Sequence, residues 1–286
     1  MRLTSEDLAG LVRPPAPPVA HEPPRSRSMR QRLSVLALLA EFSHLRTVEI
    51  SAGCFPKART GLQLAQRCLK RLTEANEVHA VRNSVGTTSF VLTHVGARTL
   101  LLHGMRGKHG LNLRSYAGGS FLHHAITSRY AIEQRNLGNE CYTEYGIAGG
   151  FAPFSTALLR SRFKKSCDGI LIRQASGGSD SAPKSVIAVE VEAARKPGSE
   201  VARILSIADK VGHWLDEDHQ YVIGGVAFAF NASQGHAPYI RKVAQELWQQ
   251  RPRAERHKLA SAITLVKMRY ALPLTFQGFT EETLAL

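Results

Sequence analysis

Two short apolar runs, each carrying acid at a fixed place, limit what this chain can fold into. The first is Cys167-Asp168-Gly169-Ile170-Leu171-Ile172; after a polar loop the second reads Val186-Ile187-Ala188-Val189-Glu190-Val191-Glu192-Ala193-Ala194-Arg195-Lys196. Runs this short and rich in β-branched residues are strands, and pairing them gathers Asp168, Glu190 and Glu192 at one sheet edge. Side chains two apart on a strand share a face. Glu190 and Glu192 therefore stand together, while Val189 and Val191 turn to the other side. Carboxylates packed this closely repel unless a hard cation lies among them. The pattern predicts a divalent-metal site; the competing reading is a polar sheet face salt-bridged to Arg195, Lys196 or Arg203.

Charge says what such a site acts on. The chain has 286 residues, a formal charge of +14 and a pI near 10. A surface of this sign attracts polyanions, and nucleic acid is the first candidate, because neutralising phosphates releases counterions. An anionic membrane surface is the competitor, but no basic amphipathic helix with an aromatic face is present in the sequence. No signal-peptide core and no apolar run of roughly 20 residues occur, which predicts a soluble cytoplasmic protein with no membrane partner. The four cysteines, Cys54, Cys68, Cys141 and Cys167, form no Cys-x-x-Cys pair, so zinc-ligand spacing is absent and no disulfide framework is suggested; they read as small, partly buried apolar residues. Among twelve histidines only His123 and His124 are adjacent, and helix neighbours point in different directions.

Residues 1–28 hold six of the thirteen prolines and read as a disordered tail. From Arg30 an apolar helical pattern runs through Leu33, Leu36, Leu39 and Phe42, and a short helix is expected around Val48 and Ile50. Lys57 to Leu72 follows, with Leu62, Ala65, Leu69 and Leu72 at helical spacing. Two strands, Glu74 to Val81 and Ser89 to Thr93, are joined by a turn near Gly86, and Thr93 caps another helix. Three helices, a β-wing and a closing helix predict a winged helix-turn-helix domain over residues 29–106. Between Arg30 and Arg106 stand eleven Lys or Arg against four Glu. Arg59, Gln63, Gln66, Arg67 and Lys70 lie on the face that would enter a major groove. A solvated helix face, or a protein-binding module, is the alternative.

A glycine-rich linker, 107–119, leads to a second domain over 120–286. Its expected order is helix (Phe121 to Gln134), strand (Cys141 to Ile147), a loop with a short helix, strands Gly169 to Arg173 and Val186 to Ala193, helix (Ser199 to Glu217), strand (Tyr221 to Phe230), helix (Tyr239 to Gln250) and strand (Ile263 to Tyr270). This predicts an α/β sandwich on a mixed sheet. Glu144 is placed on the strand before the acids, either facing them or facing solvent. Tyr142, Tyr145, Tyr221 and Tyr270 fall in expected strands, where packing accounts for them.

The order αβββαβ, with Asp168 opening the second strand and Glu190 on the third, resembles the PD-(D/E)XK, or restriction-endonuclease-like, superfamily. Cys167 stands where the motif often has proline, and Glu192 where it has lysine. A winged helix ahead of this pattern is similar to the replication-relaxation proteins and the MobC-type relaxases of mobilisable plasmids. The histidine-dependent relaxases differ, since no His-x-His occurs here. The resemblance implies Mg²⁺ or Mn²⁺ held by Asp168 and Glu190, with Glu192 a third ligand or a general base. It also implies a lysine beside the ion. Lys196 supplies one only if the chain turns sharply near Arg195, because four extended residues span about 13 Å; Pro197 and Gly198 permit such a turn. Lys210, with Arg203 two turns before it, is the other choice.

The function expected is metal-dependent nicking of plasmid or mobile-element DNA, with double-stranded DNA, a transfer origin and conjugation or relaxosome proteins as partners. A nuclease fold without activity, serving as a DNA-binding accessory or regulatory protein, is the alternative that Glu192 favours. A transposon or restriction subunit shares the chemistry.

Overall fold

The computed structural model describes residues 24–82, 86–110, 120–174, 182–271 and 274–286. The chain is a mixed α/β protein that divides into two units: Met1–Phe121 with Tyr145–Ser155, and Leu122–Glu144 with Thr156–Leu286. The first unit thus runs to residue 121 and also takes in 145–155. Most of the glycine-rich linker, 111–119, and the tail up to 23 lie outside the described residues.

In the first unit, α1 (Pro24–Phe42) begins inside the range read as tail, since Pro is tolerated in the first helical turn. Then come β1 (His44–Leu45), α2 (Thr47–Cys54), α3 (Gly61–Glu74), β2 (Val78–Arg82), β3 (Thr88–Leu92) and α4 (His94–Leu102). Pro56 and two successive turns, Ala58 N–H to Phe55 O and Gly61 N–H to Ala58 O, delay α3 to Gly61. Ala65, Leu69 and Leu72 recur at four and three residues along α3 and are buried, packing with Leu36, Leu39 and Ile50 into one core. The strands order β1-β3-β2, all antiparallel. Thr93 caps α4 as expected, its Oγ1 accepting from Gly96 N–H at 3.2 Å. A β-carbon on Gly96 would lie 2.3 Å from Glu77 O, so only glycine lets α4 approach β2 this closely. The Glu77 carboxylate is buried yet satisfied: Arg32 Nε and Nη2 donate at 2.7 and 2.6 Å, and Thr99 Oγ1 at 2.5 Å.

The second unit is built on a six-stranded sheet, ordered β4-β5-β6-β7-β8-β9. Its elements are α5 (Ser120–Asn136), β4 (Glu140–Thr143), α7 (Thr156–Phe163), β5 (Gly169–Arg173), β6 (Lys184–Glu192), α8 (Gly198–Leu205) with a 3₁₀ turn Ser206–Lys210, β7 (Tyr221–Asn231), α9 (His236–Trp248), α10 (Arg253–Ser261), β8 (Ile263–Ala271) and β9 (Thr275–Thr283), while α6 (Glu144–Ala148) shares only Glu144 with this unit and belongs from Tyr145 onward to the first. β4, β5 and β6 form an antiparallel meander, β7 and β8 run parallel to β6, and β9 returns antiparallel. The parallel centre needs helical crossovers, which α8 and then α9 with α10 supply. From Val186 to Glu192 every residue of β6 is buried, as befits a strand covered on both faces. In β7 the Gly224-Gly225 pair forms a bulge opposite Val186/Ile187, and a β-carbon on Gly225 would lie 2.0 Å from Ala262 O.

Three expectations change. β4 ends at Thr143 rather than running to Ile147, because its partner β5 starts at Gly169 and offers no further rung; Glu144 and Tyr145 therefore open a helix. The helix expected over 199–217 stops at Leu205, tightens to 3₁₀ and ends before Gly212, whose N–H bonds back to Ile223 O on β7. β9 and α10 add elements beyond those expected.

Candidate functional site

The site is a row across the end of the meander. Thr143 pairs with Gly169, and Gly169 with Val189. One residue further on, Glu144, Asp168 and Glu190 stand side by side. Asp168 is near enough for its charge to act on both Glu144 and Glu190. Glu144 N–H still donates to Asp168 O at 2.8 Å. On the other side the Asp168 side chain replaces the missing backbone rung, its Oδ2 accepting from Val191 N–H at 2.8 Å. Glu192, two residues beyond Glu190, lies on the same face.

Cations close around these acids. Lys165 Nζ lies 2.5 Å from Glu190 Oε2 with its side chain only 7% exposed. Lys196 Nζ lies 3.5 Å from the same oxygen and 3.0 Å from Glu192 Oε1. Helical hydrogen bonding from Pro197 O turns the chain at once into α8, which brings Lys196 back over the strand as the sequence requires. His123 of α5 places Nε2 3.1 Å from Asp168 Oδ2. Asp168 remains 20% exposed and Glu190 1%, so Asp168 is the acid that meets solvent.

The electrostatics follow from burial and neighbours. Burial, with the charge of Asp168 adding to it, pushes the Glu190 carboxyl up to about 7 despite both lysines. Glu144 and Glu192 are raised, first by burial and then by nearby acids. Burial would also raise Asp168, but the hydrogen bond and charge of His123, with Val191 N–H and Lys196, hold it below the usual carboxylate range. Burial disfavours charge on His123 and Lys196, yet the acids outweigh it and both are raised. The Cys167 thiol, buried beside Glu190, is pushed up and stays protonated.

Two carboxylate oxygens stand out, Glu190 Oε1 and Glu192 Oε1. Glu190 Oε1 is buried and has no hydrogen-bond partner, although Oε2 on the same carboxylate has two lysines. A buried carboxylate oxygen left bare costs about 1–3 kcal/mol or more, and a divalent ion between it and Asp168 would satisfy it. Asp168 and Glu190, both hard oxygen donors, fit Mg²⁺ or Mn²⁺. Glu192 Oε1, buried and also without a hydrogen-bond partner although Lys196 Nζ lies 3.0 Å away, is a third oxygen donor. Among the described residues no group of three or more His, Cys, Asp and Glu side chains is gathered tightly enough to hold a metal ion.

Of the residues expected here, Asp168, Glu190, Glu192 and Lys196 come together, and Glu144 joins them from α6 rather than from a strand. Lys210 does not: its Nζ donates to Arg162 O at 2.8 Å. Arg203 is exposed on α8. His123 and Lys165 are participants that the sequence alone did not disclose. Lys165 was legible only as part of the Lys164-Lys165 pair before Asp168, and His123 lies 45 residues upstream of its partner.

In the first unit, Arg59, Gln63, Gln66, Arg67 and Lys70 are all exposed, the last four on the face of α3 opposite Ala65, Leu69 and Leu72. Lys70 has only a 4.0 Å approach to exposed Glu74. Arg67 and Arg71 also line a cleft of about 300 Å³ with Gln31, Arg32, Cys68 and Glu77. Among the described residues no helix is long and apolar enough to cross a membrane. Comparison with family models, curated proteins and solved structures finds no match to the chain.

Proposed function

We propose that the protein is a metal-dependent DNA endonuclease of the nicking, relaxation or mobilisation type. On this reading the first unit is a winged helix that binds double-stranded DNA through Arg59, Gln63, Gln66, Arg67 and Lys70, and the second is a restriction-endonuclease-like domain. The meander β4-β5-β6 followed by a crossover helix and parallel β7 has the order αβββαβ that this fold requires. The observation that carries the reading is the acid row Glu144, Asp168, Glu190 with its bare buried oxygen, Glu190 Oε1.

Asp168 and Glu190 Oε1 would hold Mg²⁺ or Mn²⁺, which when bound supplies positive charge to a phosphate oxygen and acidifies its water. The remaining work falls to side chains of the chain itself. Lys196 stays protonated beside three acids, so it serves as a donor to developing negative charge, the part the motif gives to the lysine that Glu192 displaces. His123 holds the Asp168 carboxylate and Lys165 that of Glu190. The tyrosines Tyr142, Tyr221 and Tyr270 stay on strands and Tyr145 moves to α6; direct attack by water agrees with the chemistry better than a tyrosyl link.

A second reading is favoured by the 2.5 Å Lys165–Glu190 pair. If that cation permanently neutralises Glu190, the fold serves as a DNA-binding accessory without cleavage. Supercoiled plasmids, with and without the transfer origin of the chain's own element, decide between them. Open circles that need Mg²⁺ or Mn²⁺, vanish in EDTA and are lost in Asp168→Ala and Glu190→Ala support the enzyme. Tight binding without strand breakage under any metal supports the accessory.

A further inference from the structure

α7 and the segment after α8 are tied together. Arg162 Nε donates to Leu215 O at 3.0 Å, and Lys210 Nζ donates to Arg162 O at 2.8 Å. Immediately after α7, Lys164 adopts a left-handed backbone with φ of 62°. That turn lets Phe163 and Lys165 both point inward while the Lys164 side chain remains exposed. Lys164 and Lys210 feel each other's charge: the Lys210 ammonium is lowered first by burial and then by Lys164. Neither has a carboxylate at ion-pair distance among the described residues, since Asp209 is taken by Arg251 at 2.7 Å. Two like charges held together in this way attract an anion.

The same segment presents an aromatic platform. Trp214 is 40% exposed, an unusual place for an indole with no loop to cover. It is not a floppy side chain on a floppy loop. Gly212 N–H to Ile223 O, Ile223 N–H to His213 O and Leu215 N–H to Tyr221 O, each 2.9 Å, lash its backbone to β7 as a short antiparallel ladder. His219 lies against one side of the ring at 4.7 Å. A rigid exposed indole beside lysines without carboxylate partners is the combination that binds unpaired nucleotides, the base stacking on the ring and the phosphates meeting the cations.

We infer that Trp214, Lys164 and Lys210 form a binding platform for single-stranded nucleic acid, with Trp214 bridged to Val222, the partner of Ser185, five residues or roughly 17 Å along β6 from Glu190. Its binding does not rest on the nuclease reading; only a role in cleavage would. Arg160 bonds Ser166 Oγ through Nε and Nη2 at 3.2 and 2.9 Å, and its charge acts on Glu144. Lys165 adjoins Lys164 in sequence and touches Glu190.

The chain holds two tryptophans, and the other, Trp248, is fully buried, so quenching of tryptophan emission by a base reports on Trp214. The full chain is titrated in EDTA with a short oligothymidylate and with a blunt duplex of equal length. Expected is saturable quenching by the single strand and none by the duplex. Quenching is lost in Trp214→Ala, whose affinity for the single strand falls about tenfold. Lys164→Gly relieves a left-handed backbone, so its melting temperature should hold or rise; combined with Lys210→Gln it flattens the salt dependence by about 1.4, or roughly 0.7 for each single-strand phosphate no longer neutralised. No quenching by the single strand, or wild-type affinity and salt dependence in these variants, overturns the platform. Quenching without metal-dependent cleavage leaves the platform standing and removes the nuclease reading, whereas cleavage without quenching does the reverse.

Discussion

The carboxylate of Asp168 accepts the backbone N–H of Val191 at 2.8 Å, standing in for the rung that β5 cannot supply past Gly169. One side chain therefore finishes the sheet and faces the candidate reaction. The two roles separate by substitution. Asp168→Asn keeps an oxygen for Val191, whereas Asp168→Ala leaves that N–H bare at a cost of about 1–3 kcal/mol. Both should lose metal-dependent nicking, and only the alanine variant should melt earlier, as followed by circular dichroism. Equal melting of the two would remove the structural role.

Lys165 and Lys196 compensate Glu190 unequally. Lys165, 7% exposed at 2.5 Å, is the closer and drier partner; Lys196 lies at 3.5 Å with 22% exposure. Removing one side of a buried pair costs about 3–5 kcal/mol. Urea unfolding at neutral pH should show Lys165→Met destabilised by about that much and Lys196→Met by clearly less. Adding Glu190→Gln should restore much of the stability in the Lys165→Met background. If Lys196→Met proves the more damaging, the assignment of partners is reversed.

Glu190 also fixes a pH signature in EDTA. Its carboxyl is raised from an ordinary 4.5 to about 7, so the folded state binds the proton more tightly than the unfolded chain. The stability that this group contributes is complete below about pH 4.5 and is lost as pH rises through about 7. Across that window wild type should lose on the order of 3 kcal/mol relative to Glu190→Gln. Chemical denaturation at half-unit pH steps measures the difference; a flat difference, or one growing toward acid, contradicts the raised carboxyl.

Much of this site is legible in the sequence. The meander and the acids at its end follow from alternation in Val186 to Glu192 and from an Asp opening Gly169 to Arg173, and the tight turn at Pro197-Gly198 brings Lys196 within reach as its composition allows. What stays hidden depends on packing across distance. His123 reads as an ordinary helix residue, and only packing of α5 on the meander sets it against Asp168. Lys165 reads as part of a basic pair; the left-handed turn at Lys164 is what sends it inward. β9 escapes because Thr275–Thr283 alternates weakly, an edge strand with most positions at least partly exposed. The long helix expected after β6 fails because Gly212 and the ladder to β7 outcompete helix propensity at 211–215.

The exposed face of α3 carries its own test. Arg67→Ala and Lys70→Ala should each weaken duplex binding several-fold and reduce the slope of log affinity against log salt by about 0.9 for each phosphate left without its cation. Fluorescence anisotropy over a salt series measures both quantities. Slopes matching wild type would take DNA off this face.

The central claim is that Asp168 and Glu190 share one divalent cation, and Mn²⁺ binding followed by electron paramagnetic resonance reads it without any need for turnover. The expected result is one Mn²⁺ per chain, weakened about tenfold or more by either Asp168→Asn or Glu190→Gln, with binding tightening as pH rises through 7 and Glu190 gives up its proton. A wild-type chain that takes up no Mn²⁺, or variants that bind it as wild type does, would contradict the shared-cation claim.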